Sequence, residues 1–346
     1  MYRELGIDLG SANVVISSPE KGIVQTLPSV MLAQRSTGKL VGFGTDAMKR
    51  YSQSPAEYIL ERPIKGGISS HLDRAQKMIS LSVSDVCGRE SVPSRVLFSV
   101  PCDINVMEES ALVEAAAQAG IAEAYLIYSP LSALIASEMD IASSYMALDI
   151  GASRTSIMIV CRGNIVYSTA IDTAGDRFDS AISEYIYTKH NLRVSSFTAE
   201  SIKKRIGTVW GDDSPIRNVE VRAKRSDDGT FSAVRLASDE MFTALEEPTA
   251  SLIEVICSTI ARIPTQYVNE VFSHGILLYG GGSMLSGLAK IISGITGVDT
   301  YVFPSAPEAV ALGLSEVLKI LPKRIAPSIK NVSKFAMKSL GGYNIV

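Results

Sequence analysis

The sequence predicts an α/β protein built from two similar lobes. Three observations carry that expectation: the chain length, an internal duplication, and a twice-repeated order of strand and helix signals. At 346 residues and 37.1 kDa the chain exceeds what one ordinary core organises, so two compact lobes are expected. Residues 5–24 read LGIDLGSANVVISSPEKGIV and residues 147–166 read ALDIGASRTSIMIVCRGNIV. Placing Asp8 on Asp149 puts Gly10 on Gly151 and Gly22 on Gly163. Each copy is an apolar strand ending in Asp-aliphatic-Gly, a small polar turn, a second apolar strand, then glycine and a third strand. That is a β-meander with a tight first turn and a second turn placed by glycine.

Helical and strand signals follow each meander in a common order. After the first, Arg62-Pro63-Ile64-Lys65-Gly66-Gly67 marks a break, and a helix is expected near 70–87. Residues 95–101 read as a buried strand. Residues 106–119 are alanine-rich with apolar residues at helical spacing, and Gly120 ends them. Residues 124–128 read as a strand, and Ser129-Pro130 opens a helix expected near 131–145, the crossing between lobes. After the second meander the pattern predicts helices near 176–190 and 198–207 and a charged hairpin over 216–236. One long helix over 238–263 and a strand over 275–279 complete the second lobe.

Composition narrows the function classes. Apolar residues make up 46% and charged residues 20%, which suits large cores and excludes a disordered polymer. The formal net charge of −3 leaves no chain-wide basic field, so nucleic acid is not an expected partner. Cys87, Cys102, Cys161 and Cys257 form no Cys-x-x-Cys pair and read as reduced, buried small hydrophobes. His71, His190 and His274 are too scattered for a zinc site. The N-terminus runs directly into a strand-like segment, and no window approaches the ~20 apolar residues that span a bilayer. A cytoplasmic protein, at most peripheral to a membrane, is expected.

Three small-residue turns follow apolar strands: Gly10-Ser11-Ala12-Asn13, Gly151-Ala152-Ser153-Arg154 and Gly280-Gly281-Gly282-Ser283. Glycine there lets an anion approach backbone N–H groups. The third turn is expected to open a helix from Met284, whose free N–H groups and dipole favour negative charge. Two facing hairpins of this kind suit a polyphosphate clamp. Asp8 and Asp149, at the ends of the strands feeding them, suit Mg²⁺ held through water. There is no Gly-x-x-x-x-Gly-Lys-Ser/Thr, and residues 280–282 are not Gly-x-Gly-x-x-Gly, which excludes a P-loop and argues against a dinucleotide fold.

Asp8 to Asn13 resembles the first phosphate motif of the actin, sugar-kinase and heat-shock-chaperone ATPase superfamily, in its bacterial MreB form. Asp149-Ile150-Gly151 resembles the second phosphate motif, and residues 278–283 resemble the adenosine motif. Ala309-Val310-Ala311-Leu312-Gly313 resembles the closing interlobe helix, and the likeness spans about residues 4–318. The resemblance implies a duplicated actin-like, ribonuclease H-like fold with a nucleotide cleft between lobes. The lobes would be 1–145, with a small subdomain near 31–70, and 146–318, with one near 180–250. A basic tail, 319–346, would follow. It further implies ATP or ADP with Mg²⁺ in the cleft, and self-polymerisation into filaments on the inner membrane that organise cell-wall synthesis and shape. Carried over by position, Gly10, Ser11, Ala12 and Asn13 would meet phosphates from one side and Gly151, Ala152, Ser153 and Arg154 from the other. Glu200, Ser201 and Lys203 would lie near ribose and adenine, and Gly280, Gly281, Gly282, Ser283 and Met284 would support the adenosine.

Two features depart from that pattern. Tyr128-Ser129-Pro130 stands where the family carries Glu-Glu-Pro, and residues 151–156 stand where it carries Gly-Gly-Gly-Thr-Thr-Glu. Ser129 and Ser156 thus occupy the expected carboxylate positions. A hydroxyl orients water but does not take its proton, so a base worth ~10²–10⁴ in rate is missing and weak hydrolysis is expected. Arg154 is open to two readings, a phosphate contact or an outward pair with a surface acid. The tail carries Lys319, Lys323, Arg324, Lys330, Lys334 and Lys338, with Ile329, Val332, Phe335, Ala336 and Leu340 near one helical face. Residues 322–346 therefore suit contact with an anionic membrane surface. The sequence leaves two rival roles open: a non-polymerising partner of related MreB filaments, and a small-molecule kinase. Membrane cell-shape proteins are further expected partners.

Overall fold

The computed structural model describes residues 2–64, 72–88, 91–140, 142–211, 215–322 and 331–333. In the first lobe, β1 (Glu4–Leu9), β2 (Asn13–Ser18) and β3 (Gly22–Pro28) form the expected antiparallel meander. A three-stranded sheet of β4 (Met31–Gln34), β5 (Leu40–Phe43) and β6 (Tyr58–Glu61) carries helix α1 (Gly44–Gln53). Then come α2 (Leu72–Cys87), β7 (Arg95–Val100), α3 (Val106–Gln118), β8 (Glu123–Tyr128) and α4 (Ser129–Ala136). The start of α3 is fixed by a reciprocal cap, in which the Asn105 side chain accepts from the Glu108 N–H at 3.0 Å and Glu108 accepts from the Asn105 N–H at 3.2 Å.

The second lobe repeats the plan. Its meander is β9 (Tyr145–Ile150), β10 (Thr155–Cys161) and β11 (Asn164–Ile171). It continues with α5 (Gly175–His190), β12 (Leu192–Arg193), α6 (Ser196–Ile206), β13 (Asn218–Arg225), β14 (Phe231–Ala237), α7 (Ser238–Ala244) and α8 (Glu246–Ile260). The last elements are α9 (Val268–His274), β15 (Ile276–Tyr279), α10 (Leu288–Thr296), β16 (Thr300–Val302) and α11 (Ala309–Ile320). The two main sheets have the orders β3-β2-β1-β7-β8 and β11-β10-β9-β15-β16. In both, the first meander strand lies at the centre and pairs in parallel with a later strand. The register repeats as well: Asp8 faces Val15 and Asp149 faces Ser156. A third small sheet, β12-β13-β14, lies in the second lobe.

Three large apolar cores follow from this plan. One lies in each lobe, and the third sits between the main sheets, where Leu131 and Leu134 of α4 pack with Val310 and Leu314 of α11. The two helices approach so closely that a Cβ at Gly313 would overlap the Ser132 carbonyl. The Ser132 hydroxyl donates to the Val310 carbonyl at 2.8 Å and fixes their register.

Several expectations change. The helix expected over 131–145 ends at Ala136: the Ser137 hydroxyl bonds the Ala133 carbonyl at 3.1 Å, and Glu138 turns left-handed with φ of 55°. The single long helix over 238–263 is two, broken at Leu245, because Pro248 lacks the N–H that would bond back to residue 244. Cys102 and Cys161 are buried as expected, but Cys87 is half-buried and Cys257 is exposed. Most of the tail lies outside the described residues. Within it, Val332 is buried in the middle core, and its N–H donates to the Leu126 carbonyl at 2.7 Å. It therefore does not belong to a membrane-facing stripe.

Because α4 and α11 leave no room at Gly313, Gly313→Ala is expected to destabilise the protein by about 1–3 kcal/mol or more. Urea unfolding would read this as a lowered midpoint.

Candidate functional site

The two meander turns meet. The Ser11 and Ser153 hydroxyls lie 2.5 Å apart across the lobes. Each turn is tight for the same reason: a Cβ at Gly10 would lie 2.7 Å from the Asn13 carbonyl oxygen, and one at Gly151 would lie 3.0 Å from that of Arg154. The duplication read in the sequence is thus a duplication of backbone contacts at the site. Asn13 is exposed and Ala12 half-buried, while the Ala12 carbonyl holds the Ser29 N–H at 2.8 Å. The second turn is braced by the start of α5, where the Gly175 N–H donates to the Gly151 carbonyl at 3.1 Å and the Asp176 N–H to Ala152 at 2.6 Å.

Behind these turns the ends of β1 and β9 bring Asp8 and Asp149 together. Burial, then the charge of Asp149, push the Asp8 carboxyl up to about 7, although Ser99 donates a 2.5 Å hydrogen bond to it. Burial also raises Asp149, against a hydrogen bond from Ser129. Two carboxyls held above their ordinary range, both by burial and Asp8 also by the charge of Asp149, form a place a divalent cation would relieve. Among the described residues no three His, Cys, Asp or Glu side chains converge on a metal position, so two carboxylates with water and phosphate oxygens are the donor set that fits.

The third turn lies against the end of β9. Gly280 has φ of 78°, and a Cβ there would overlap the Ile150 carbonyl and crowd the Asp149 carboxylate. Gly282 is equally tight against Ile150, whereas Gly281 faces open space and Met284 is 64% exposed. Ser283 is buried and donates to the Gly280 carbonyl at 2.7 Å. Residues 281–284 form a 3-10 turn, and α10 begins only at Leu288. The expected helix start at Met284 is delayed because the intervening chain is pinned sideways. The Ser286 carbonyl accepts the Val209 N–H at 2.9 Å, and Gly287, φ 84°, passes beneath Trp210.

Helix α6 supplies the remaining expected residues. Lys203 donates to the Gly175 carbonyl at 2.8 Å and pairs with Asp179 at 2.9 Å. Glu200 pairs with Lys204 at 2.8 Å and Arg62 at 3.2 Å. Burial pushes its carboxyl up, but these charges outweigh burial and leave it below its usual value. Ser201 lies on the exposed side of the helix. Arg62 also pairs with Asp176 at 2.7 Å, so one first-lobe guanidinium bridges two second-lobe carboxylates. Partly buried, charge-assisted links of this type contribute about 1.5–3 kcal/mol each.

Arg154 pairs with Asp103, which follows β7 of the first lobe, and lies 3.6 Å from Asp172. In this structure Arg154 is thus paired with two carboxylates, one of them across the cleft. Ser129 and Ser156 are both buried. Ser129 is engaged with Asp149, and Ser156 bonds the Cys102 thiol, which burial first and then the charges of Asp149 and Asp103 push far up. Sequence reasoning missed Ser99, Cys102 and Asp103 and did not give Arg62 its bridging role. The signal for the first three was their place in and after β7, since ligands of parallel sheets gather at strand carboxyl ends.

The raised Asp8 carboxyl sets a pH dependence. Its folded value exceeds the unfolded 3.8, so the folded state binds the proton more tightly and stability falls as pH rises from about 4 to 7. Asp8→Asn, which keeps an acceptor for Ser99, is expected to raise the unfolding free energy at pH 8 by about 2–4 kcal/mol in the absence of divalent cations, and to change it little at pH 4.5. Urea titrations at the two pH values check the sign.

The chain matches the MreB/Mbl protein family over residues 2–325. It is 32% identical to the cell shape-determining protein Mbl of Bacillus subtilis, covering 93% of this chain and 98% of that protein. It is 30% identical to the cell shape-determining protein MreB of Escherichia coli, covering 92% and 94%. Among solved structures, MreB5 of Spiroplasma citri bound to ADP superposes with a TM-score of 0.84 at 23% identity, over 91% of this chain and 96% of that one. A MamK double helical filament gives 0.78 at 18% identity, over 92% and 99%. With the whole cleft inside the matched span, the chain belongs to the MreB/Mbl family and has its actin-like fold.

Proposed function

We propose that this protein binds ATP or ADP with Mg²⁺ in the interlobe cleft and polymerises into filaments that serve cell shape. The observation that carries the reading is the pair of glycine turns, Gly10 and Gly151, closing on one point above two facing carboxylates. Relatives support it: MreB5 of Spiroplasma citri has been solved with ADP and with AMPPNP, MamK as a double helical filament, and Mbl and MreB bear the name cell shape-determining protein. In this reading Asp8 and Asp149 hold the metal through water, and the N–H groups of residues 11–13 and 152–154 receive phosphate oxygens. The open space at Gly281 and the exposed Met284 receive the adenosine. The bound metal nucleotide supplies the phosphoryl group and the positive charge that the carboxylates lack. The Ser11–Ser153 contact has to part to admit phosphates, and the Arg62 links hold the lobes together while it does.

Hydrolysis is proposed to be slow. Ser129 and Ser156 bring no carboxylate, and both hydroxyls are already engaged. Asp103, also at the cleft, is held by Arg154. The same feature favours a second reading, a nucleotide-bound partner that modulates filaments of a relative without polymerising. Sedimentation with ATP, ADP and no nucleotide, with phosphate measured in the same tubes, separates them. The first reading expects pelleting with ATP and phosphate release ~10²-fold or more slower than Bacillus subtilis Mbl under the same conditions. Turnover equal to Mbl removes the slow-hydrolysis proposal, and no pelleting in any state favours the modulator.

Among the described residues no helix is long and apolar enough to cross a membrane. We propose peripheral attachment through the cationic tail. Removing residues 334–346 keeps Val332 in its core, so weaker binding to phosphatidylglycerol vesicles is expected from that truncation, and undiminished binding discards residues 334–346 as the anchor.

A further inference from the structure

The small sheet β12-β13-β14 presents a cationic face that the cleft does not use. Its outward residues on β13 are Asn218, Glu220, Arg222 and Lys224, and β14 adds Phe231, Ala233 and Arg235. Arg193 of β12 stands opposite Lys224, and Lys224 stands opposite Phe231. Beyond Arg193 the chain leaves the sheet to start α6, and a cavity of about 450 Å³ opens between Ser195 and Thr198 on one side and Arg222 and Lys224 on the other.

The charges here are uncompensated. Arg225 is neutralised by Asp227 at 2.6 Å, and Arg235 lies across from Glu220. Among the described residues no carboxylate pairs with Arg193, Arg222 or Lys224. Phe231, 61% exposed, holds the Arg222 and Lys224 cations each 5.6 Å from its ring centre, which orders them without removing their charge. Two cations ordered on an exposed aromatic, with Arg193 held beside them over Tyr187 at 5.5 Å, form a recognition surface, where the apolar ring gives an anchor and the cations give register.

We propose that this face docks an acidic, extended peptide segment of a partner protein. Arg222 and Lys224 point the same way two residues apart, ~7 Å along the strand, which is the spacing of alternate side chains in an extended peptide. The chain as a whole carries −3, so a long polyanion meets repulsion beyond the patch, while a short acidic segment meets only its cations. The chain's own tail is cationic and is excluded as occupant by charge. The proposal is independent of the nucleotide reading, since none of these residues belongs to the cleft.

The test titrates the full-length protein against a fluorescein-labelled octapeptide of alternating aspartate and alanine with one central phenylalanine, read by anisotropy in about 0.1 M salt. Saturable binding is expected, weakened at least tenfold in Arg222→Ala/Lys224→Ala and in Phe231→Ala, and kept within about threefold in Arg222→Lys and Arg235→Ala. Circular dichroism confirms that each variant folds, and Lys224→Glu should gain affinity for the matching lysine peptide. Failure to saturate, or equal affinity of the double variant, overturns the proposal. So does tighter binding of oligothymidylate or phosphatidylglycerol vesicles through the same cations, which would make the face a polyanion or membrane site.

Discussion

The approach of α11 to α4 sets the geometry of everything else. At Gly313 a helix backbone lies on the Ser132 carbonyl, and that closeness determines how the two main sheets face each other. A side chain between the helices would push the sheets apart, and the turns at Gly10 and Gly151 would no longer meet. The cleft is therefore a consequence of backbone packing in the middle core, to which the ion pairs of Arg62 and Arg154 at the rim add.

Across that cleft the electrostatics are divided. At the floor, Asp8 and Asp149 repel one another and are starved of water. Towards the rim, Arg62 and Arg154 of opposite lobes reach across to carboxylates of the other lobe. Attraction at the edges thus holds closed a floor that resists closure. Such a balance is sensitive to any cation entering the floor, because relief of repulsion there adds to what the rim already supplies. Ser99 and Ser129 keep the floor tolerable by each donating to one carboxylate.

The sequence made the duplicated meanders legible because Asp-to-Gly spacing is a local backbone requirement, and Gly10 and Gly151 carry it in adjacent residues. Asp8, Asp149 and the 280–282 turn were readable for the same reason. Arg154 could be recognised as unusual but not oriented, since its partner Asp103 is 51 residues away in the chain. Arg62, 114 residues from Asp176, could not be paired at all. Element ends were lost where a single side chain decides them: Ser137 stops α4, and Pro248 divides α7 from α8. The face around Phe231 was legible only as a charged hairpin, because which charges remain unpaired depends on register and on Asp227.

Trp210, the chain's sole tryptophan, covers Gly287 and lies near Gly294, at the far end of the segment that begins with the Gly280 turn. Its indole is partly exposed and packed on backbone. Any shift of that segment changes the polarity around one chromophore and no other. The molecule thus carries a native emission signal for the state of its Gly280 turn, free of the averaging that several tryptophans would impose.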